Sequence, residues 1–519
     1  MHRRRITSAV AVATLGMAAC VAAPAVANAA EVVWTPCQDD HLSGLECATV
    51  KVPMDYNAPD AGTVTIAISR HKATAPARRR GVLFTNPGGP GGDGRGLPKE
   101  YASQPIAKVY DIIGIDPRGT GASTPLSCKP TDSYGSIRLL SRPTEDELGL
   151  FTEVARAQEK ACADGGGKFR AFVTTPNTAR DMDKIRAELG EDKINYLGVS
   201  YGTWLGAVYG QLFPGKLDRS VLDSSIDPAK TWYEQFDDGA RSVEFNFTQW
   251  AKWVADRNKA FGLGGTPKDV RASVDAISAH VANNPGFAGI INRDIFDSSV
   301  GRFTRYRPQW ADFAKNLKAV TAQLKGGPAD PKIVAANKAT GEKIQKEADQ
   351  PEDYENGVFA AVTCDWKTST DIPTGYHPLM RKWRDSFPYG ETVLSVAPTN
   401  CAFYPRQGQA AVTIGARQYP AGLVLNADGD TQTALASARS MATALKEPLI
   451  TVTNEGVHSV YGNTDVSDTS TARPNTCVDD LVNNYLIDGT LPQGNPNCAT
   501  SNPPAAVPTD GTAIQDANN

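Results

Sequence analysis

The sequence predicts an α/β fold, with a mostly parallel central sheet flanked by helices and a large helical insertion. Short β-branched runs alternate with helical stretches from Thr63 to Asp223, the pattern of βαβ units. Several of those runs are continuously apolar, as strands are when helices cover both faces of a sheet. The same pattern returns at Gly422–Leu425 and Leu449–Val452, after a long stretch with helical periodicity, so one core is interrupted rather than followed by a second domain.

In chain order, residues 1–30 read as a secretory signal peptide. Arg3, Arg4 and Arg5 precede an apolar stretch that ends near Ala27-Asn28-Ala29, an Ala-x-Ala cleavage pattern. A lipoprotein signal at Cys20 is the weaker alternative. Residues 31–226 form the first part of the core, with strands at Thr63–Ser69, Gly81–Thr85, Tyr110–Ile115, Ile194–Val199 and Arg219–Asp223. Ile185 and Leu189, four apart before Gly190, mark a helix over Thr178–Leu189. Residues 227–400 are rich in Trp, Lys, Ala and Gln and form the helical cap. Trp232, Phe236, Phe245, Trp250 and Trp253 belong mostly to its core, a minority to a cleft. Residues 401–500 complete the core around a helix at Ala434–Leu445, and 501–519, rich in Pro, Ala, Thr and Asp, form a disordered tail.

The chain has 53 Lys and Arg against 57 Asp and Glu. Loss of the three leader arginines takes the net charge from −4 to −7. Nucleic acid and anionic membrane are therefore excluded as partners, and no later segment is long and apolar enough to span a bilayer. The oligomeric state is left open. Eight cysteines follow the leader, an even number that in an exported chain signals disulfides. Proximity pairs them Cys37–Cys47, Cys128–Cys162, Cys364–Cys401 and Cys477–Cys498. No Cys-x-x-Cys or His-rich spacing implies a metal, and no cofactor is expected.

The chemistry concentrates at Gly198-Val199-Ser200-Tyr201-Gly202, between the strand Ile194–Val199 and the apolar stretch Trp204–Phe213. A turn this tight needs small flanking residues and lifts the serine hydroxyl clear of the sheet, the nucleophile elbow of the α/β-hydrolase fold. Serine needs a base, and in this fold the base follows the nucleophile after the last strand. His280 and His377 fall within the cap, whereas His458 follows the strand Leu449–Val452 in a glycine-containing loop. The carboxylate that orients it belongs after the preceding strand, where Asp428 and Asp430 both stand; Asp223 is the outside candidate. Asn86-Pro87-Gly88-Gly89-Pro90-Gly91-Gly92 follows Gly81–Thr85 as an oxyanion loop should, with the Gly89 and Tyr201 amides as the donor pair.

These stretches, with Cys47-Ala48-Thr49-Val50-Lys51-Val52-Pro53-Met54-Asp55-Tyr56, Asp116-Pro117-Arg118-Gly119 and Thr175-Pro176-Asn177-Thr178-Ala179-Arg180-Asp181, resemble the secreted tripeptidyl aminopeptidases of actinomycetes. Those belong to the prolyl-aminopeptidase-like branch of the α/β-hydrolases. The resemblance implies a secreted serine peptidase acting on peptide N-termini and places the family's acid at Asp430 and its histidine at His458. It also implies cap carboxylates that hold a substrate ammonium, for which Asp365, Asp227 and Glu234 are the candidates; Thr363 precedes the cap cysteine Cys364. A carboxylesterase or lipase would use the same machinery, and a non-catalytic binding protein could retain the fold.

Overall fold

The computed structural model describes residues 32–128, 135–349, 354–365, 372–404, 412–462 and 473–510. The expected leader lies outside the described residues. The strands are β1 (Thr35–Pro36), β2 (Glu46–Pro53), β3 (Thr63–His71), β4 (Gly81–Asn86), β5 (Tyr110–Ile115), β6 (Ile194–Val199), β7 (Leu217–Asp223), β8 (Leu423–Ala427), β9 (Leu449–Thr453) and β10 (Asn497–Ala499). They form one sheet in the order β1-β2-β3-β5-β4-β6-β7-β8-β9-β10. The pairings from β1 to β5 through β2 and β3 are antiparallel, and from β5 onward every pairing is parallel.

Every residue of β4, β5 and β6 is buried, and alternate residues serve two cores. Val82, Phe84, Tyr196, Leu222 and Val424 face one core with Met182, Leu205 and Met441. Leu83, Leu197, Val221 and Leu425 face the other with Val478, Val482 and Leu486. This division explains why the central strands read as unbroken apolar runs. The edge strands β1 and β10, and β2 beside β1, were not foreseen; β2 buries Val50 and Val52 while Thr49 and Lys51 stay exposed, a half-solvated alternation weaker than the central signal.

The helices of the first half are α1 (Glu145–Gly166), α2 (Thr175–Glu188) and α3 (Tyr201–Leu212). α2 starts three residues before the expected Thr178 because the Thr174 hydroxyl accepts from the Asn177 amide and Pro176 sits in the first turn, both N-terminal signals. α3 lies close against the sheet through a stripe of glycines. A Cβ at Gly206 would meet the Tyr196 ring at 2.3 Å, and one at Gly210 the Tyr419 ring at 2.3 Å.

Between β7 and β8 run α4 (Trp232–Ala255), α5 (Pro267–Asn283), α6 (Arg293–Arg305), α7 (Trp310–Leu324), α8 (Pro331–Ala348), α9 (Tyr354–Val362) and α10 (His377–Ser386). α11 (Leu435–Leu445) and α12 (Thr476–Asp488) belong to the returning core. The cap has its own core, in which Trp250, Val274, Ile277, Trp310 and Leu317 are buried together. The sequence assigned everything before residue 227 to the hydrolase core, but α1 and its preceding turn belong physically to the cap. Ile137, Leu148 and Phe151 pack with Ala240, Met380, Trp383 and Val393.

All four disulfides join the pairs expected from proximity. Residues 501–510, expected to begin a disordered tail, instead run back over the cap: Val507 is 4% exposed within the cap core and its carbonyl accepts from Arg257 Nε at 2.9 Å. One apolar residue amid Pro, Ala and Thr carries that docking, which composition averages away. Residues 511–519 lie outside the described residues. Among the described residues no helix is long and apolar enough to cross a membrane.

Candidate active site

The site forms at the carboxyl ends of β4, β6, β7, β8 and β9, the end at which open α/β sheets bind ligands. Ser200 occupies the single residue between β6 and α3, with φ 59° and ψ −127°. A non-glycine residue there costs of order 1–3 kcal/mol and persists only where its surroundings over-determine it. Here the Ser200 amide donates to the Asp223 carbonyl at 3.0 Å, and the Ser200 carbonyl accepts from the Thr203 amide and hydroxyl. The flanking glycines have steric causes. A Cβ at Gly198 would lie 2.5 Å from the Gly202 carbonyl oxygen, and one at Gly202 2.8 Å from the Asn86 carbonyl oxygen.

The glycine loop after β4 packs directly on this turn. A Cβ at Gly88 would sit 2.7 Å from the Ser200 Cβ and 3.1 Å from the Tyr201 amide nitrogen. Gly88 is fixed by its amide's bond to Asn86 Oδ1 at 3.0 Å. At Gly89, where φ is 105°, a side chain would strike the Gly91 and Gly92 amides. The loop thus brings bare backbone against the elbow, as required of donors to a developing oxyanion.

His458 and Asp430 meet. His458 Nδ1 lies 2.8 Å from Asp430 Oδ2, and Asp430 is fully buried while His458 keeps 9% exposure. The Thr433 hydroxyl donates to the same carboxylate oxygen at 2.7 Å, while the Gln432 and Thr433 amides donate to Oδ1. Burial pushes the Asp430 carboxyl up, but the His458 imidazole beside it, Arg305 and the Thr433 hydroxyl outweigh burial and hold it below the usual carboxylate range. Thr433 escaped the sequence reading; nothing in its spacing marks it.

The other carboxylates considered for this role are already in use. Asp428 accepts the Asn454 and Glu455 amides at 2.8 and 3.0 Å, closing the turn after β9. Asp223 accepts the Val460 and Tyr461 amides at 2.8–3.0 Å and so holds the chain just beyond His458. Burial pushes the Asp223 carboxyl up to about 6 against the pull of those amides. The Ser459 amide in turn donates to Ser224 Oγ. The serine turn and the histidine loop are therefore both anchored to Asp223 at the end of β7, and the histidine loop to Ser224 as well. His280 packs edge-on against Phe287 in the cap, and His377 faces Thr152 on α1.

A cavity of about 550 Å³ opens on Gly89 and Pro90, with Gln432 beside the acid loop and Phe236, Phe359 and Leu394 among its walls. Of the aromatics singled out in the sequence, Phe236 therefore faces the cleft, whereas Trp250 is fully buried in the cap core. Through Arg138, Ser395 and Gln432 this cavity adjoins a second of about 580 Å³ that carries Glu347 and Glu391. Of the expected cap carboxylates, Glu234 and Asp227 line neither cavity. Glu234 is spent in a capping box with Thr231 at the start of α4, and Asp227, 5% exposed, accepts the Ala229 amide and the Ser440 hydroxyl. The side chain of Asp365 lies outside the described residues.

Residues 81–325 match the family model for the alpha/beta hydrolase fold, and residues 387–498 match that for TAP-like protein. The chain is 32% identical to a tripeptidyl aminopeptidase of Streptomyces coelicolor, over 92% of this chain and 88% of that one. It belongs to the tripeptidyl aminopeptidase family of α/β-hydrolases. A carboxylesterase B of Mycobacterium tuberculosis is 30% identical over 90% of this chain and 89% of that one. The serine protease Hip1 of the same organism is 34% identical over 46% and 47%. Membership makes the chain a serine hydrolase, and relatives on both the peptidase and esterase sides leave its substrate to the cleft.

Proposed function

We propose that the protein is a secreted exopeptidase that releases short peptides from peptide N-termini through an acyl-enzyme. Ser200 attacks the scissile carbonyl while His458 takes its proton, and His458 then gives that proton to the departing amine. Water repeats the sequence to free the acyl group and restore Ser200. Asp430 orients the imidazole and stabilises its charge, and the Gly89 and Tyr201 amides receive the oxyanion. The observation that carries the reading is the buried 2.8 Å contact of His458 Nδ1 with Asp430, on loops anchored to the β7 end that also bonds the serine turn. The four disulfides and the resemblance of the first thirty residues to a leader support an extracellular location.

The substrate ammonium goes to Glu391 and Glu347 of the second cavity rather than to Asp227 or Glu234. Three residues of extended chain span roughly 10 Å, which suits an anchor in the adjoining chamber rather than beside Gly89. Arg302 pairs with Glu347 at 2.9 Å and Arg138 lies 3.9 Å from Glu391, which fixes both side chains at the cavity wall. The second reading, a carboxylesterase, is favoured by the walls nearest Gly89, where Phe236, Phe359 and Leu394 supply apolar surface and Arg138 is the charged residue.

Hydrolysis of a chromogenic tripeptide amide, with and without an acetyl group on its amine, separates the two. The exopeptidase cleaves the free-amine substrate alone, with Ser200→Ala as the inactive reference. Cleavage of a nitrophenyl ester with neither peptide touched makes the protein an esterase.

A further inference from the structure

The cap reaches the acid and base loops through a buried polar cluster whose Asn246 and Arg307 line neither substrate cavity, while Arg305 borders the second. Asn246 on α4 is fully buried, and its Nδ2 donates to the Gly429 carbonyl at 2.7 Å. Its Oδ1 accepts from Arg307 Nη1 at 2.7 Å. Arg307, just past α6 and also fully buried, sits with Nη2 3.7 Å from Asp428. Its neighbour Arg305 donates from Nε to the Gly456 carbonyl at 2.7 Å. Gly429 precedes the acid Asp430 by one residue, and Gly456 precedes the base His458 by two.

The fit leaves no slack. A Cβ at Gly429 would lie 2.3 Å from Asn246 Oδ1 and 2.6 Å from Arg307 Nη2, and one at Gly456 would lie 2.0 Å from the Arg305 carbonyl oxygen. One helical face of α4 makes two such approaches, because Gly239, two turns before Asn246, brings its backbone within reach of the Thr431 carbonyl. The acid and base loops are also bonded to each other, by the Gly429 amide to the Glu455 carbonyl at 2.8 Å. Burial pushes the Arg307 guanidinium down to about 10, which leaves it charged at neutral pH beside Asp428.

We infer that Asn246 and Arg307 are positioning residues of the hydrolytic site. The cap, besides shaping the cleft, sets the separation of the two loops that carry Asp430 and His458. The inference rests on the Ser200–His458–Asp430 reading above. It assigns a catalytic consequence to cap residues that touch no substrate, since a misplacement of about 1 Å at a reacting centre can cost ~10²-fold in rate.

Asn246→Asp is the discriminating variant. It keeps an acceptor for Arg307 and nearly the same volume, while losing the donor to Gly429. The assay is hydrolysis of p-nitrophenyl acetate, too small to need the cap for binding, together with the rate of fluorophosphonate labelling and the thermal midpoint. The expected result is a fall in kcat of ~10–100-fold with KM within about twofold, and a labelling rate that falls in parallel. Val274→Ala, which opens the cap core away from both loops, serves as the reference and leaves the ester kcat unchanged. A folded Asn246→Asp protein with wild-type kcat overturns the inference, as does a Val274→Ala protein that loses kcat equally. Should Asn246→Asp fail to fold, Arg307→Lys, which retains the charge opposite Asp428, is read in the same way: lowered kcat supports the inference, and unchanged kcat overturns it. Ser200→Ala separates the two levels, since labelling that persists there refutes the nucleophile itself, whatever the cap variants do.

Discussion

Replacing Asp430 by Asn tests the site at its most buried point. The side chain keeps its shape and one carbonyl oxygen, which can still accept the Gln432 and Thr433 amides now bonded to Oδ1. The amide nitrogen then takes the place of Oδ2, facing the Thr433 hydroxyl at 2.7 Å and His458 Nδ1 at 2.8 Å. A donor facing Nδ1 selects the tautomer whose proton sits on Nε2, and that nitrogen can no longer take the serine proton. In a serine protease with the same constellation such a change lowers kcat by ~10⁴, equivalent to about 5 kcal/mol of transition-state stabilisation. The assay is kcat on a nitrophenyl ester at neutral pH, with the thermal midpoint showing that the fold persists. Asp428→Asn is the partner measurement. It disturbs the turn amides of Asn454 and Glu455 and is expected to cost roughly tenfold or less. Retention of more than about one hundredth of the activity by Asp430→Asn, or an equal loss in Asp428→Asn, would refute the assignment of the acid.

Glu391→Gln is expected to raise KM for a free-amine tripeptide amide about tenfold, as loss of a charge-assisted contact does, and to leave nitrophenyl ester hydrolysis unaltered; equal effects on both substrates count against an ammonium site. Arg118, fully buried, is bonded through Nε and Nη2 to Asp181 at 2.7 and 2.6 Å and donates to the Pro53, Met54 and Phe172 carbonyls; Arg118→Ala leaves that carboxylate buried without its guanidinium, though still bonded by the Tyr56 hydroxyl at 2.8 Å, and should cost about 3–5 kcal/mol, read as a lowered denaturation midpoint. Asp223, raised to about 6, holds a proton in the folded protein that the unfolded chain has released, so its contribution to stability falls as pH rises from about 4 to 6 and is constant above. The change is about 3 kcal/mol at most, and denaturant titration of Asp223→Asn against wild type should show that slope removed.

The parts legible in the sequence are those in which a backbone requirement forces a residue type. The serine turn is visible because only glycine fits opposite the Gly202 and Asn86 carbonyls, and the central strands because burial on both faces leaves no polar positions. Asp430 and Asp428 were indistinguishable by spacing, since both follow β8; their roles depend on whether a backbone amide or an imidazole arrives from β9. Glu234 illustrates a local signal that outweighed the functional guess. Thr231-Trp232-Tyr233-Glu234 has the spacing of a capping box, and the structure uses it as one. The carboxylates that do line a cavity, Glu347 and Glu391, come from distant parts of the cap, and no periodicity within either segment marks them. The contribution of α1 to the cap was hidden for the same reason, because its apolar face could have served a sheet equally well.

The contacts between cap and core also limit how a substrate can enter. Lifting the cap away from the carboxyl ends of β8 and β9 would break the bond from Asn246 to Gly429 and that from Arg305 to Gly456. It would also part the fully buried Arg307 from Asp428. A hydrogen bond involving a charged group is worth about 1.5–3 kcal/mol, and the groups left behind lie where water must follow them. The edge of the cap near the acid and base loops is therefore the costly one to open. The cleft near Gly89 is built differently: Phe236, Phe359 and Leu394 supply apolar surface there. Substrate selection at the apolar wall and alignment of the triad at the polar edge are thus separable tasks of one cap. A variant of Phe236 should then alter which acyl groups are accepted while leaving kcat on the smallest ester intact.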